Sequence, residues 1–306
     1  MIKNGYKGMS VEVIDFTKHP GKIMWDMLKQ TWISLHDVEY NPQNELVQTF
    51  IKDSLAKRLN PAPQEAIMIQ VVFKRISRVC LAQITRQRGW MFNSESQMPQ
   101  PTNHDVVIPL NIYNSEYRDR FIKLIKDSTE LYNDMVKGNE KKETTNIPYQ
   151  DARYCLLNGQ TAALSASFTM PLFQRCCGQR LDNNTHDEIN YLCRLTIKEL
   201  RNQVNNSTEL DELDKYIYNY LLDECDAAGA NKKVSTCCDA MFGNSYKRYP
   251  DANKYVTEAT DNCLLDYKKL AWTQELIRMY NEEPELLLPG ETEMIEKWLT
   301  NDDESL

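Results

Sequence analysis

The sequence predicts an α+β fold, and three observations carry that prediction. Two short runs, Val11–Phe16 and Ala66–Phe73, have the length and β-branched content of strands. Several longer segments repeat apolar residues at the 3.6-residue spacing of a helix with one buried face. Strands and helices do not alternate in a regular β-α-β order, which argues against a doubly wound parallel sheet.

In chain order, Val11–Phe16 is the first strand. Ile23, Met24, Met27, Leu28 and Thr31 then recur at helical spacing between Gly21 and Thr31. Pro42, a favoured first-turn proline, opens a second helix with the stripe Leu46, Val47, Phe50, Ile51, Ser54 and Leu55. Asn60-Pro-Ala-Pro63 ends it. Ala66–Phe73 (AIMIQVVF) is continuous enough to be a buried strand. Residues 77–86 are expected to be helical, and Gly89–Asn103 to be an ordered loop.

Asn114 or Ser115 can cap a helix striped by Tyr117, Phe121, Leu124, Ile125, Leu131, Tyr132 and Met135, closed by Gly138. Residues 139–146 are a polar surface loop. Another long helix starts after Asn183-Asn184 and carries Ile189, Leu192, Cys193, Thr196, Ile197, Leu200 and Val204. A further helix covers roughly Leu210–Leu222. Residues 226–262 read as loop, and 264–280 and 291–299 as helices. The expected organisation is a domain over residues 1–205, with residues 206–306 a C-terminal extension of the same domain.

Composition narrows the classes of function. The chain has 306 residues, 42% hydrophobic and 26% charged, as in an ordinary globular protein with a sizeable core. No apolar run approaches the roughly 18–20 residues that span a bilayer. The N-terminal stretch lacks the apolar core of a secretory signal, so a cytoplasmic location is expected, without membrane attachment. The net charge of −8 disfavours a nucleic acid polymer as partner, yet permits a small anion held by a few local arginines.

Nine cysteines form no disulfide framework, and reduced thiols are expected. Cys225, Cys237, Cys238 and Cys263 lack the paired C-x2-C knuckles of structural zinc sites, so no metal is assigned. His36, His104 and His186 read as surface or hydrogen-bonded histidines.

The most informative stretch is Gln83–Met98, QITRQRGWMFNSESQM. It places Arg86, Arg88, Gln83, Gln87, Asn93, Ser94, Ser96, Gln97 and Glu95 beside elements expected to be buried. Guanidinium groups bind phosphate and carbonyl oxygens in planar, bidentate fashion, and serine and asparagine add short directional bonds. Such a loop suits a phosphorylated small molecule; it also suits a solvated surface loop.

The order of the residues resembles the flavin-dependent thymidylate synthase signature R-H-R-x-x-S-x-N-x-x-S-x-R. Arg86, Arg88, Asn93 and Ser96 are in place; Gln87, Met91 and Met98 replace its His, first Ser and last Arg. Gln83 and the run Ile76-Ser77-Arg78 ahead of the signature also fit the family, and four further segments agree with it in order. Thr31-Trp-Ile-Ser34 resembles A-R-V-S, and Pro63-Gln-Glu65-Ala66 resembles P-x-E-H. Pro148–Leu156 resembles P-x-x-x-A-R-x-x-L with Ala152 and Arg153 in register, and Arg180 with Glu188-Ile189 resembles L-R and A-Q-x-E-I. The similarity spans roughly residues 10–205.

The resemblance implies FAD as cofactor, with NADPH and methylenetetrahydrofolate as co-substrates and dUMP as the nucleotide methylated to dTMP. It assigns Arg180 to stabilising charge on the pyrimidine, which is a catalytic role. It places Gln83, Arg86, Glu95, Ser96, Gln97 and Arg153 around the nucleotide. Ser34, Arg86, Gln87, Arg88, Asn93 and Arg175 fall at flavin-contacting positions or close to them. A homotetramer is implied, because family sites draw on several subunits, and so is a mixed or antiparallel sheet with long helices, followed by a mostly helical C-terminal extension. The family's N-A-R-S falls on Thr169-Met-Pro171-Leu, which lacks its Asn and Arg. Two alternatives stay open: a different C5 group, such as hydroxymethyl, on dUMP or dCMP, or a non-catalytic nucleotide-binding descendant.

Overall fold

A computed structural model describes residues 2–4, 6, 8–95, 105–140, 147–181, 186–230 and 265–300. In order, its main elements are β1 (Ile2–Asn4), β2 (Ser10–Phe16), α1 (Pro20–Leu28), α2 (Glu45–Leu55), β3 (Met68–Ser77) and α3 (Arg78–Ile84). There follow β4 (Met91–Ser94), β5 (Val106–Ile108), α4 (Leu110–Tyr113), α5 (Arg118–Glu140), α6 (Tyr149–Ala152), β6 (Thr161–Thr169) and α7 (Met170–Arg180). The chain continues through α8 (Asp187–Asn206), α9 (Glu212–Ala230), α10 (Leu265–Glu282) and α11 (Glu291–Thr300). Four strands form one sheet in the order β2-β3-β6-β4. β1 pairs in parallel with β5, Ile2 opposite Val106. The architecture is α+β.

Several expected boundaries shift, each for a local reason. α2 begins at Glu45 rather than at Pro42, because Asn44 takes the cap: its side chain accepts the Leu46 N–H at 2.9 Å. Part of the segment expected to be loop, Met91–Ser94, is a strand, paired next to β6. α9 runs on to Ala230, beyond the expected start of loop at 226. Ser115 accepts the Tyr117 N–H at 3.2 Å, a turn before α5 begins. β6 and α7 were not foreseen. In β6 the inward residues are Ala162, Leu164, Ala166 and Phe168, and two alanines make a faint alternation.

The chain divides into two compact units, Met1–Glu12 with Val72–Ala166, and Val13–Val71 with Ser167–Leu306. In the first, the inner face of α5 supplies Ile125, Tyr132 and Val136. Ile125 packs with Val106 and Ile108 of β5, and Tyr132 and Val136 with Ala152 of α6.

The second unit is mainly helical, with α9 packed on α1, α2, α7 and α8. Ile217, Tyr218, Leu221 and Leu222 of α9 are fully buried, and the Tyr218 hydroxyl donates to the Thr17 carbonyl at 2.7 Å. α8 is clamped to the start of α11 by a buried ion pair. Both terminal nitrogens of Arg194 reach Glu291, at 2.6 and 2.8 Å, while Nε donates to Asn190 Oδ1 at 2.7 Å. Among the described residues no helix is long and apolar enough to cross a membrane.

Candidate functional site

In the first unit the candidate residues are positioned by an irregularity in β3. Its inward residues are Ile69, Val71 and Phe73, but the next buried one is Ile76, so the two-residue alternation slips by one. The slip falls on Arg75, whose φ of 62° lies in the left-handed region. For a residue with a Cβ this costs on the order of 1–3 kcal/mol. Arg75 is held there by Asp105, whose Oδ2 accepts from Nε at 3.0 Å. Ser77 then caps α3, accepting the Cys80 N–H at 3.0 Å. Arg78 is therefore the first residue of the helix.

Arg78 sits among groups that leave its charge incompletely compensated. One terminal nitrogen donates to the Glu95 carbonyl at 3.2 Å, while the buried Nε has no hydrogen-bond partner. Burial holds its guanidinium below the usual arginine range; Arg153 nearby pushes the same way, and the Glu95 carboxylate opposes both. The Glu95 side chain is itself engaged, accepting the Ala163 N–H at 2.8 Å, while the Glu95 N–H donates to the Ala163 carbonyl at 2.9 Å. Arg153 follows α6 and is exposed, its Nε donating to the Gln150 carbonyl at 3.1 Å. Two cations close together with one carboxylate, already bonded, form a net positive site for an anion.

Gln83 is half-buried near the end of α3, and Arg86 and Arg88 beyond it are exposed. Gln87, in the place of the signature's His, is buried at 8%. Gly89 turns the chain into β4 with a φ of 84°, a value that favours glycine, and Trp90 stacks on Phe92 at 5.8 Å. Asn93 is exposed on β4. Ser96, Gln97, Met98 and His104 lie outside the described residues, as do Asn183, Asn184, Cys237, Cys238 and Cys263.

The second unit holds the other candidates. Ser34 is exposed in the short 3-10 turn Ile33–Leu35. Two segments singled out in the sequence meet here: the Thr169 hydroxyl donates to Glu65 at 2.8 Å, and the Met170 N–H donates to the Ile67 carbonyl at 2.9 Å. Arg175 is exposed midway along α7, and Arg180 closes that helix half-buried. Close by are buried thiols. A hydrogen bond to Cys193 and burial hold the Cys176 thiol well above the usual range. Hydrogen bonds from Cys176 and Cys177 hold Cys193 well below it, with Arg180 a smaller influence toward the ionised form on both. Burial and hydrogen bonds to Cys193 and Cys225 hold the Cys177 thiol well above the usual range. Among the described residues no group of three or more His, Cys, Asp or Glu side chains is arranged to hold a metal ion.

Thus the first unit brings Arg153 and Glu95 together around Arg78, a residue that had not been singled out as a ligand. A signal for it was present in the sequence. Ser77-Arg78 reads as a cap followed by a cation in the first helical turn, where the helix dipole disfavours positive charge.

Residues 12–204 match the family model described as thymidylate synthase complementing protein, Thy1. No curated protein matches the chain. Among solved structures, it is similar to thymidylate synthase X (ThyX) from Helicobacter pylori with FAD and dUMP. The identity is 16%, the TM-score 0.47, and the match covers 70% of this chain and 99% of that one. It is also similar to PolB, a UMP/dUMP methylase from Streptomyces cacaoi bound with 5-Br dUMP. Here the identity is 13%, the TM-score 0.49, and the coverage 71% and 96%.

Proposed function

The chain belongs to the thymidylate synthase complementing protein family, and on that premise we propose that it carries out flavin-dependent methylation of dUMP at C5 to give dTMP. The observation that supports this most directly is the undercompensated pair Arg78 and Arg153. A nucleotide monophosphate carries a compact double negative charge, the kind of ligand such a pair would stabilise. Each charge-assisted hydrogen bond to it is worth roughly 1.5–3 kcal/mol. Ser96 and Gln97 are assigned to the same phosphate, and Gln83, Arg86 and Glu95 to flanking the nucleotide.

The residues fit a dinucleotide cofactor. Arg86, Arg88 and Asn93 are exposed and supply two cations and an amide for diphosphate and ring carbonyls, with Gln87 beside them. Ser34 and Arg175 are the corresponding candidates in the second unit. Held there, FAD would supply, once reduced by NADPH, the electrons that turn a one-carbon unit from methylenetetrahydrofolate into the C5 methyl group. Arg180 is assigned to the pyrimidine carbonyl side, where a permanently charged planar group stabilises the negative charge that makes C5 nucleophilic. The reading includes a cytoplasmic homotetramer. The described cysteines, all free thiols, suit a reducing compartment.

A second reading keeps the fold and the flavin but installs a different C5 group, such as hydroxymethyl, on dUMP or dCMP. Met91, where the signature has a serine, is 62% exposed, so an apolar side chain replaces a hydroxyl on an accessible surface. The test is a flavin spectrum of the purified protein, followed by turnover of labelled dUMP and dCMP with product mass. A yellow protein giving dTMP supports the first reading. A product 16 mass units heavier than the methylated form of the same nucleotide supports the second, and a colourless protein that binds neither nucleotide overturns both.

A further inference from the structure

We infer that Cys176 and Cys193 are a redox-active pair, a modification site at which a mild oxidant closes a disulfide between α7 and α8. The pair lies outside the nucleotide and flavin contacts assigned above. Three packed helices deliver four thiols to one place: Cys176 and Cys177 from α7, Cys193 from α8 and Cys225 from α9. All four are buried free thiols. Hydrogen bonds run through the group, joining Cys193 to both Cys176 and Cys177, and Cys177 to Cys225. Arg180 follows Cys176 by four residues, which puts the two on the same face of α7.

Burial by itself makes a thiol inert, because it disfavours the thiolate that reacts. Cys193 is an exception. Cys176 and Cys177 donate to its sulfur, and Arg180 and Arg194 add positive charge, which together outweigh burial. Cys176 keeps its proton, mainly through its bond to Cys193. A thiolate and a protonated thiol are thus already in contact, and their sulfurs need only close to about 2 Å. Hydrogen peroxide is the oxidant that suits the site, being uncharged and water-sized. Gln179 is exposed and Arg180 half-buried within one turn of Cys176, so the way in is short. The Cys193 thiolate attacks one peroxide oxygen, the O–O bond breaks, and hydroxide leaves a sulfenic acid behind. That hydroxide takes the Cys176 proton and becomes water. The Cys176 thiolate then attacks the Cys193 sulfur, and the S–O bond breaks with loss of a second hydroxide. The two sulfurs together lose two electrons, and peroxide is reduced to one water and one hydroxide. Closure removes the negative charge beside Arg180, so under the catalytic reading it also slows the enzyme.

The test is peroxide titration of the full reduced chain, then blocking of free thiols in denaturant and tryptic mapping without reductant. Cleavage after Arg175, Arg180 and Arg194 places Cys176 in the peptide Cys176–Arg180 and Cys193 in Leu181–Arg194. The first disulfide to form should join these two peptides and be lost on treatment with dithiothreitol. Cys177 shares a peptide with Cys176, so Cys176→Ser and Cys177→Ser are compared, and only the first should abolish the link. Cys155 is the internal control. It is only half-buried, but burial pushes its thiol up, so it should react with peroxide at least about tenfold more slowly than Cys193. The inference fails if the peptides stay unlinked, if the first bond maps to another pair, or if Cys155 reacts before Cys193. It also fails if Cys176→Ser keeps the link. Should a serine variant not fold by circular dichroism, the map of the unaltered chain and the Cys155 comparison decide the matter. No readout here needs turnover, so failure of this inference and failure of the catalytic reading are told apart.

Discussion

Arg78, Arg180 and Asp214 are individual side chains whose surroundings lead to measurable expectations. Replacing Arg78 with Gln keeps a donor but removes the charge, so dUMP affinity by calorimetry should fall about tenfold or more, since a charged hydrogen bond is worth roughly 1.5–3 kcal/mol. An unchanged dissociation constant would remove Arg78 from the phosphate site. Arg180→Ala should lose on the order of 2–4 kcal/mol of transition-state stabilisation, by analogy with removal of one oxyanion donor. Near-normal turnover by the folded variant would sink that assignment.

Asp214 is buried and accepts the Gly21 N–H at 2.8 Å. Burial pushes its carboxyl above the ordinary value of 3.8, with Asp211 adding to the rise while the Gly21 bond and His19 oppose it. The folded state therefore holds this proton more tightly than the unfolded state. Stability contributed by the group is present below the ordinary value and is lost as pH rises through the raised one. Urea unfolding of Asp214→Asn across that window should show a shallower decline than the parent; parallel curves would contradict the sign.

At the scale of the element, the Arg194–Glu291 pair decides how α11 is held. Arg194 is fully buried, and Glu291 also accepts the Leu288 N–H at 2.8 Å, so one carboxylate closes the turn before α11 and neutralises the Arg194 charge. Arg194→Ala leaves a buried carboxylate without its cation and should cost about 3–5 kcal/mol. Replacing both partners with apolar residues of similar volume should cost much less. Thermal unfolding of the two variants checks the contrast, and equal losses would mean that packing, rather than charge, holds α8 to α11. β3 shows the opposite logic, where one positive-φ arginine shifts the inward alternation so that Ile76 and Ser77 are buried and Arg78 can open α3.

For the whole molecule, the family match ends at residue 204, while the fully buried Ile217, Tyr218, Leu221 and Leu222 of α9 lie beyond it. At about 1.5–3 kcal/mol each, their burial rivals the roughly 5–15 kcal/mol stability of a domain. A chain cut after Asn206 should therefore be insoluble or lack a cooperative unfolding transition; a soluble, cooperatively folded product would make residues 206–306 a separable addition. We propose that this segment is part of the same domain.

The sequence by itself carried the α+β class, the amphipathic helices and the family, because period, cap residues and motif order are local properties of the chain. α1, β2 and α8 were legible within a few residues, since each has a strong apolar period. β6 was not, because Ala162 and Ala166 are too small to mark an inward face until the strands beside them are known. Motif order singles out Arg86, Arg88 and Arg153 and places Ile76-Ser77-Arg78 ahead of them, whereas the surroundings of Arg78 needed the fold: a neighbour 75 residues away and a buried Nε. Burial of a charge and compensation by a distant group depend on which surfaces meet. Only the tertiary structure decides that, because long-range contact energies rather than local propensity select it.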